Sequence, residues 1–565
     1  MQIKFYLLLF ISYLLFTFIL TYPSILNFQN LIGYEGWLEG NYTVLHGDAW
    51  QNIWNMWLVR KKIFDLDLTY YTDYQFYPFG TKLTFHTLTL FPALIALPIY
   101  YLVNNWIFAY NVIVILNFVL AGFTMFFLVN YLVKNKWIAF ISSYAFTFSP
   151  YHLTMSTNYL NLATIFALPL YVLFFIKFWE EKFNFKNLFL LPLSLFLVFL
   201  SDLQYLFFML LFSFLSLPFL IFKKVRNELK GVGLKIIFLL IAVLPIVPFV
   251  QPVISDYYGG FGQVGLESIK TKNLIAFQNY FLNHANILFG EFFIRFVIPG
   301  LESHVFIGYV VLFFSLFYVV YKFKQSLLWI FLISIFIILS LGPEMFIGNK
   351  KIISPIYKFF YDNFPFFKAI LHPSRFAIMV ILFSIILFAK GLKEFSIKVK
   401  NKNIFFPIIF LVIFLEYLQF PFYSDTNLNL DKSFISFLKD IKTESNITIL
   451  GIPARGSYYD FYFTTIHEKK LISGPGISRV DPKSTKYLSD LSILISQNKT
   501  EEIKNILNSL KTKYIFVYKS YKLKNFLKDY NAKFNELERL PLILSLRLIY
   551  KSYWIEIYEN TYLNT

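Results

Sequence analysis

Few side chains of this chain could carry chemistry, and the first of them is an acid set among tryptophans. Asp48 lies near the start of the segment 47–64, in which Trp50, Trp54 and Trp57 recur at spacings of four and three residues. This spacing predicts a helix with one aromatic face, and the cations at its end are typical of a helix in a membrane interface. An acid at the first position is either a helix N-cap or a carboxylate that orients or deprotonates a hydroxyl group.

Two further titratable residues stand beside apolar stretches. His86 heads the apolar stretch 87–103 and could bind a phosphate or donate a proton, whereas the alternative is an interfacial histidine with a structural partner. Asp202, in SDLQY (201–205), separates two apolar stretches. A charge at membrane depth is costly and indicates a functional site, although an acid in the headgroup region would need no such explanation.

The segment SPYHLTMSTNYLNL (149–162) holds His152, Asn158 and Asn161 but no acid. Divalent cations such as Mg²⁺ and Ca²⁺ prefer carboxylate oxygens, so this segment alone predicts no metal site. His152 and Asn158 remain candidates for substrate binding. The chain also lacks cysteine, which excludes disulfides, thiolate metal sites and a cysteine nucleophile.

A histidine and an arginine occur together in HPSRF (372–376), at the start of an apolar stretch. The guanidinium of Arg375 has the planar donor geometry that suits phosphate oxygens, and His372 stands beside it. The alternative is an arginine that extends its head group into the lipid headgroup region. A lipid-linked phosphate would suit the first interpretation.

The composition decides what must position these residues. Of 565 residues, 57% are hydrophobic and only 15% charged, and the mean hydropathy is +0.58. Soluble domains carry about 25% charge, so a soluble enzyme is excluded as a whole, and so is a disordered chain. The net charge of +18 falls largely in short loops between apolar stretches, where cytoplasmic loops carry Lys and Arg, and therefore does not indicate a nucleic-acid partner.

The apolar stretches predict a polytopic α-helical membrane protein with about eleven transmembrane helices. We place the membrane-crossing segments at 5–22, 106–132, 136–150, 160–177, 187–200, 205–222, 235–254, 303–321, 326–348, 373–391 and 403–420. The lysine-rich loops 223–235 and 390–402 should be cytoplasmic. The N-terminus is then cytoplasmic, and the chain after residue 420 lies outside.

This orientation holds only if the apolar stretch 87–103 does not cross the membrane, and its two prolines also disfavour a straight crossing. We therefore predict a transmembrane domain over 1–423 with a long first external loop, 23–105. Residues 424–565 change character and predict an extracytoplasmic α/β domain. Its strands are expected at 447–450 and 514–518, its helices at 433–442 and 501–511, and a closing hairpin within 542–559.

Several short motifs resemble the GT-C superfamily of integral-membrane glycosyltransferases. The Gly-Asp at 47–48 is similar in position to the early acid of the first external loop in that superfamily, and FHTLTLFP (85–92) to the start of a juxtamembrane helix. SPY (149–151), HPSRF (372–376) and TIHEKKLISGPGISR (465–479) resemble segments of uncharacterised prokaryotic membrane proteins assigned to it. The resemblance spans most of the chain, but each motif is short.

The resemblance implies an enzyme of the hexosyltransferase type in the cell membrane. It would take a polyprenyl-phosphate-linked sugar as donor and a glycan, lipid or protein as acceptor at the outer face. Asp48 would be the catalytic base and Arg375, with His86, would hold the donor phosphate. Many members carry an acidic pair in the second external loop, where this sequence has His152, Asn158 and Asn161. A divalent cation stays an open alternative, and our hypothesis is that Asp202 substitutes for the missing acid.

Two other classes of function fit the composition. Eleven crossings would suit a transporter or flippase for lipid or polysaccharide, but transporters usually show repeat symmetry and charges near the midplane, and this sequence has neither by inspection. A non-catalytic scaffold for envelope-glycan assembly would explain the missing acidic pair. We expect the transferase, because the resemblance and the non-crossing stretch 87–103 agree.

Overall fold

The computed structural model describes the chain except for residues 1, 27, 29–36, 39–42, 45–47, 182–184, 226–228, 273–274, 348–349, 420–431, 454–458, 475–479, 481, 520–531, 553–554 and 564–565. The chain divides into two compact units. The first unit comprises Met1–Gly33, Thr89–Ile95 and Phe108–Tyr423. The second unit comprises Tyr34–Leu88, Ala96–Ile107 and Ser424–Thr565, so most of the first long loop belongs with the C-terminal residues.

The first unit is helical. Its longer helices are Gln2–Leu20, most of Trp106–Val133, Lys136–Thr147, Pro150–Asn158, Ala167–Glu180, Phe185–Ser201, Leu203–Val225, Leu229–Ile241, Val247–Tyr258, Tyr309–Tyr321, Phe323–Ser340, Pro355–Asn363, Ala377–Ser396 and Lys402–Tyr417. Shorter helices are Leu160–Ala163, Leu266–Lys272 and Gly290–Phe293. The strands Glu344–Ile347 and Lys350–Ile353 form an antiparallel hairpin.

Among the described residues, six helices are long and apolar enough to cross a membrane: Ile3–Leu20, Trp106–Val133, Leu203–Phe222, Gly231–Tyr258, Phe323–Ser340 and Pro373–Ser396. A crossing needs about 20 apolar residues. The chain is therefore a membrane protein. The count of eleven crossings and their orientation remain predictions.

Some predicted crossings differ in detail from the observed helices, and the stretch predicted not to cross is one short helix. The segment 160–177 is two helices, Leu160–Ala163 and Ala167–Glu180. The segment 326–348 ends as a helix at Ser340, because Gly342 takes a left-handed φ of 74°. The stretch 87–103 forms the helix Leu90–Val103, whose 14 residues are fewer than a straight crossing requires.

The core of the first unit forms around the helix Ala377–Ser396, which is buried over most of its length. It packs against the helices Tyr309–Tyr321, Phe323–Ser340 and Lys136–Thr147. A Cβ atom at Gly391 would overlap the carbonyl oxygen of Phe314, so only glycine allows this approach of the two helices. Arg375 lies just before this helix, so the packing of the helix determines the backbone position of Arg375.

One lysine of the predicted cytoplasmic loop 223–235 is buried. The Nζ atom of Lys235 donates to the carbonyl oxygens of Phe178, Trp179 and Glu181, at 2.6, 3.1 and 3.1 Å. These carbonyls end the helix Ala167–Glu180, where the helix dipole favours a cation. Lys235 therefore has a structural role in addition to its contribution to the charge of the loop.

The second unit contains a five-stranded sheet. Its order is Arg547–Lys551, Ile555–Glu559, Thr512–Tyr518, Thr448–Ile452 and Lys470–Leu471. Thr448–Ile452 runs parallel to both of its neighbours, and the two C-terminal strands form an antiparallel hairpin. The helices Lys432–Thr443, Tyr459–His467, Lys486–Ser496 and Thr500–Ser509 complete it. The predicted strands, helices and closing hairpin of this region are confirmed.

The predicted helix at 47–64 is present as Asp48–Phe64, but its expected interfacial position is wrong for its aromatic face. Trp50 and Trp54 are fully buried, with ring centroids 5.1 Å from Tyr462 and 5.3 Å from Phe461. The helix Tyr459–His467, distant in sequence, covers the tryptophans. Burial in protein removes the same apolar surface from water that a membrane interface would.

Candidate functional site

The first unit brings together polar residues from four separate parts of the sequence. Arg375 lies in the 3-10 turn Pro373–Phe376 that leads into the helix Ala377–Ser396. Asp202 lies between the helices Phe185–Ser201 and Leu203–Val225. Asn161 lies in the short helix Leu160–Ala163, and Glu302 lies in the 3-10 turn Leu301–Ser303. We call Asn161, Asp202, Gln204, Glu302, His372, Ser374 and Arg375 the Arg375 cluster.

Arg375 is held by a carboxylate and an amide. Its Nε and Nη2 atoms donate to Oε1 of Glu302 at 3.1 and 2.8 Å, and its Nη1 donates to Oε1 of Gln204 at 3.2 Å. A guanidinium carries five N–H groups, and these contacts engage three of them. The guanidinium therefore has two N–H groups that these three bonds do not use. A phosphate in a bidentate contact engages two N–H groups.

Glu302 is the central acid of the cluster, and no motif in the sequence pointed to it. Its Oε2 accepts from Oγ of Ser374 at 2.7 Å and lies 3.5 Å from Nδ1 of His372. Although burial opposes ionisation, the charges of Arg375 and then His372 lower the pKa of Glu302 to about 2. Glu302 is therefore ionised at neutral pH. The one available signal was the arginine itself, since a largely buried guanidinium needs a counter-charge.

Asp202 is joined to Arg375 through one residue. Its Oδ2 accepts from Nδ2 of Asn161 at 2.7 Å, and its Oδ1 accepts from the backbone N–H of Gln204 at 2.6 Å. Burial raises the pKa of Asp202, against the hydrogen bond from Asn161 and the charge of Arg375. A carboxylate with a raised pKa is a stronger base when it is ionised. The structure thus brings together Asp202 and Arg375, which the sequence proposed separately.

His152 takes a different position within the first unit. Its Nδ1 lies 2.6 Å from the carbonyl oxygen of Thr147 and its Nε2 lies 2.8 Å from that of Ala163. Burial lowers the pKa of His152 to about 4, against the contacts with these two carbonyls, which raise it. These contacts link two helix ends. Asn158 ends the helix Pro150–Asn158, and its side chain lies outside what the structure describes.

Asp48 and His86 belong to the second unit. Asp48 is the first residue of the helix Asp48–Phe64, where the helix dipole favours a negative charge. Nε2 of His86 lies 2.7 Å from Oδ1 of Asn55, whose Nδ2 donates to the carbonyl oxygen of Thr87. Burial lowers the pKa of His86 to about 4. The imidazole is therefore neutral and donates to Asn55, which is a structural contact.

The motif TIHEKK contributes a multiple ion pair to the second unit. Glu468 lies 2.7 Å from Nζ of Lys61, 2.9 Å from Nζ of Lys442 and 3.5 Å from Nη2 of Arg60. Lys470 forms an ion pair with Asp73. These contacts join the first long loop to the C-terminal residues within this unit. The residues paired between the loop and the C-terminal region lie about 400 positions apart in the sequence.

No metal centre is found in the part of the chain that the structure describes: no three His, Asp or Glu side chains are grouped as metal ligands there. In the Arg375 cluster the acids Asp202 and Glu302 are occupied by Asn161, Ser374 and Arg375. The cluster places a fixed cation beside two carboxylates of different basicity.

Comparison with known proteins finds similarity among solved structures. No protein-family model and no curated protein matches the chain. It is similar to an Archaeoglobus fulgidus oligosaccharyltransferase tethered to an acceptor peptide containing an NVT sequon, at 11% identity and a TM-score of 0.48 over 99% of this chain and 74% of that one. The archaeal oligosaccharyltransferase AglB from A. fulgidus, in complex with an inhibitory peptide and a dolichol-phosphate, matches at 12% identity and a TM-score of 0.46 over 97% and 73%. The apo form of the A. fulgidus enzyme matches at 13% identity and a TM-score of 0.47 over 96% and 72%.

Proposed function

We propose that this membrane protein is a glycosyltransferase that moves a sugar from a polyprenyl-phosphate donor to a glycan, lipid or protein acceptor at the outer face of the membrane. The Arg375 cluster carries the proposal. In a unit dominated by apolar helices, it joins a guanidinium with two N–H groups beyond its protein contacts to a carboxyl group of raised pKa. The segments that form it include SPYHLTMSTNYLNL (149–162), SDLQY and HPSRF. The first of these contains the motif SPY, which with HPSRF carries part of the resemblance to the GT-C superfamily.

The reaction breaks the bond between the anomeric carbon and the phosphate oxygen, while the acceptor forms a new bond to that carbon. The leaving group is a lipid phosphate, and the charge that develops on it must be stabilised by a cation. Arg375 is proposed for this role, with Glu302 and Gln204 holding the guanidinium in place. The acceptor proton passes to a carboxylate, for which the resemblance implies Asp48, in the second unit, and Asp202 is the second candidate.

A chemical profile of surface glycans tests the proposal. Deletion of the gene should remove one sugar from a surface glycan, glycolipid or glycoprotein, as measured by mass spectrometry, and should leave the lipid-linked donor in excess. The wild-type gene and Asp440→Asn, which changes an exposed acid, should restore the sugar. Asp48→Asn and Arg375→Met should not, when the glycan is compared at matched amounts of protein in the membrane. Full restoration by both variants would refute the transferase.

The scaffold is the second candidate, and one observation favours it. Glu302 already neutralises Arg375, as it would in a purely structural ion pair. On this interpretation Arg375→Met lowers the amount of folded protein, and Asp48→Asn leaves the surface glycan unchanged. Quantifying the membrane-inserted protein alongside the glycan separates the two outcomes.

A further inference from the structure

One stretch of the first unit exposes large apolar side chains although it contains no helix long enough to cross a membrane. The stretch is ILFGEFFIRF (287–296), which folds as the short helices Gly290–Phe293 and Ile294–Phe296. Leu288, Phe289 and Phe292 are 59%, 58% and 60% exposed. Contiguous exposed apolar surface of this kind indicates an interaction site.

The stretch is held in one place by a buried asparagine. Nδ2 of Asn286 donates to the carbonyl oxygens of Leu415 and Glu416 at 3.0 and 3.1 Å, and its Oδ1 accepts from the backbone N–H groups of Leu288 and Phe289 at 2.9 and 3.2 Å. The backbone N–H of residue 287 also donates to the carbonyl oxygen of residue 418, at 3.0 Å. The exposed side chains therefore project from a fixed backbone.

Close packing makes the turn compact. An added Cβ atom at Gly290 would lie 2.6 Å from the carbonyl oxygen of His284, which shows how near the two backbone segments are. The ring centroid of Phe292 lies 5.7 Å from that of Phe293 and 5.4 Å from that of Phe296. The aromatic side chains form one cluster on this turn, with the exposed charges of Glu291 and Arg295 at its edges.

The surface continues that of a predicted membrane-crossing helix. Asn286 binds the C-terminal end of the helix Lys402–Tyr417, which we predict to cross the membrane within 403–420. That helix itself exposes Ile408, Leu411 and Leu415, and an exposed apolar stripe on a crossing helix faces lipid. The stretch 287–296 is attached where this stripe ends, so the same lipid is the nearest partner for its side chains.

We propose that residues 287–296 form an interfacial anchor whose leucine and phenylalanine side chains enter the membrane at the boundary between headgroups and acyl chains. The backbone of short helices has N–H and C=O groups without internal partners, so it cannot lie in the hydrocarbon core. An interfacial depth of about 5–10 Å satisfies both the apolar side chains and the polar backbone. The proposal concerns a lipid contact and does not depend on the proposed transferase activity.

The absence of cysteine from the chain permits a direct test. Phe289→Cys and Phe292→Cys, each carrying a nitroxide label, are reconstituted in vesicles of phosphatidylethanolamine and phosphatidylglycerol. We expect frequent collision with oxygen, which dissolves in lipid, and rare collision with a water-soluble nickel chelate. Ile493→Cys, an exposed apolar position in the second unit, serves as the matched control and should collide freely with the nickel chelate.

Two results would overturn the anchor. Access to nickel equal to that of the Ile493 control would place the stretch in water, and protection from both reagents would indicate a protein partner. A second variant tests the role of the asparagine: adding Asn286→Ala to labelled Phe292→Cys should increase label mobility and nickel access, while Asn363→Ala, an exposed position elsewhere in the unit, should leave both unchanged. Unchanged spectra for Asn286→Ala would refute the pinning of this turn.

Discussion

Glu302 and Arg375 form an ion pair in which each charge compensates the other. Their closest atoms, Oε1 and Nη2, are 2.8 Å apart, and both side chains are largely buried. Removing one member of such a pair costs about 3–5 kcal/mol, because the remaining charge is left without compensation. We expect Glu302→Gln to lower the free energy of unfolding by that amount, measured by thermal unfolding of the protein in detergent.

A double-mutant cycle separates this pairing from a general effect of the substitution. Glu302→Gln combined with Arg375→Met should cost less than the sum of the single variants, because the second change removes the uncompensated charge. Glu291→Gln, at an exposed acid, should change stability by less than about 0.5 kcal/mol. Strict additivity in the cycle would contradict the coupling.

Asp460 predicts a dependence of stability on pH in the second unit. It is buried, accepts a hydrogen bond from Tyr518, and burial raises its pKa to about 7. In the unfolded chain the pKa lies near 3.9, so the folded state favours the protonated form. The stabilisation from this group is complete below pH 4 and is lost as the pH rises to 7, by about 4 kcal/mol in all.

Asp460→Asn removes this ionisation and keeps an acceptor for Tyr518. The melting temperature of the wild type should fall between pH 5 and pH 8 more steeply than that of Asp460→Asn, measured by scanning fluorimetry of the full chain. Asp440→Asn should retain the wild-type slope. Equal slopes for the wild type and Asp460→Asn would mean that Asp460 does not titrate in this range.

At the scale of single residues, the sequence predicted which residues are important more successfully than it predicted their contacts. Asp202 and Arg375 stood out because charges are rare beside apolar stretches. Glu302 did not, since its partners in the ion pair and the serine contact lie about 70 residues away and no spacing rule links them. His86 and His152 are both engaged by structural partners, Asn55 and two carbonyls, which only the folded chain supplies. Their proposed substrate-binding roles stay predictions.

Helix ends decide much of the architecture of the first unit, and Lys235 is the clearest case. Its ammonium group contacts three carbonyl oxygens at the end of the helix Ala167–Glu180. Lys235→Met keeps most of the apolar stem and removes the donor. We expect a loss of about 2–3 kcal/mol, because hydrogen bonds to charged groups are the strong ones and the carbonyls lose their partner.

Thermal unfolding of the protein in detergent measures this effect. Lys358→Met, which changes an exposed lysine of the same unit, should alter the melting temperature little. If the two variants melted alike, Lys235 would not cap this helix. The sequence assigned Lys235 to a basic loop, whereas the structure has it within the helix Leu229–Ile241. The sequence could not show the capping either, since the capped helix end lies more than 50 residues away.

The sequence predicted the presence of the helices well, but it predicted less well where they end and which helices they pack against. The tryptophan spacing indicated the helix Asp48–Phe64, yet the same spacing suits a membrane interface or a protein core. Tyr462 and Phe461, some 400 residues away, pack on the tryptophans and show that the aromatic face lies in a protein core. In the C-terminal region the short apolar, β-branched and aromatic runs sufficed to predict strands and the closing hairpin, because local pattern determines both.

The whole molecule is constrained by contacts within its second unit. Glu468 pairs with Lys61, and Lys470 with Asp73, so the first long loop and the C-terminal residues must lie on the same side of the membrane. The number of crossings between residues 88 and 424 is then even. Ten of our predicted segments fall in this interval, provided that the stretch 87–103 does not cross; if it did, the number would be odd.

Labelling of single cysteines in intact cells tests this arrangement. Leu66→Cys and Ile493→Cys, both exposed in the second unit, should react with a membrane-impermeant maleimide before the cells are permeabilised. Ile397→Cys, exposed in the lysine-rich loop 390–402, should react only afterwards, because the positive charges hold that loop in the cytoplasm. The wild-type chain, which has no cysteine, supplies the blank. Labelling of Leu66→Cys and Ile493→Cys from opposite sides would contradict the even number of crossings, and labelling of Ile397→Cys in intact cells would reverse the orientation.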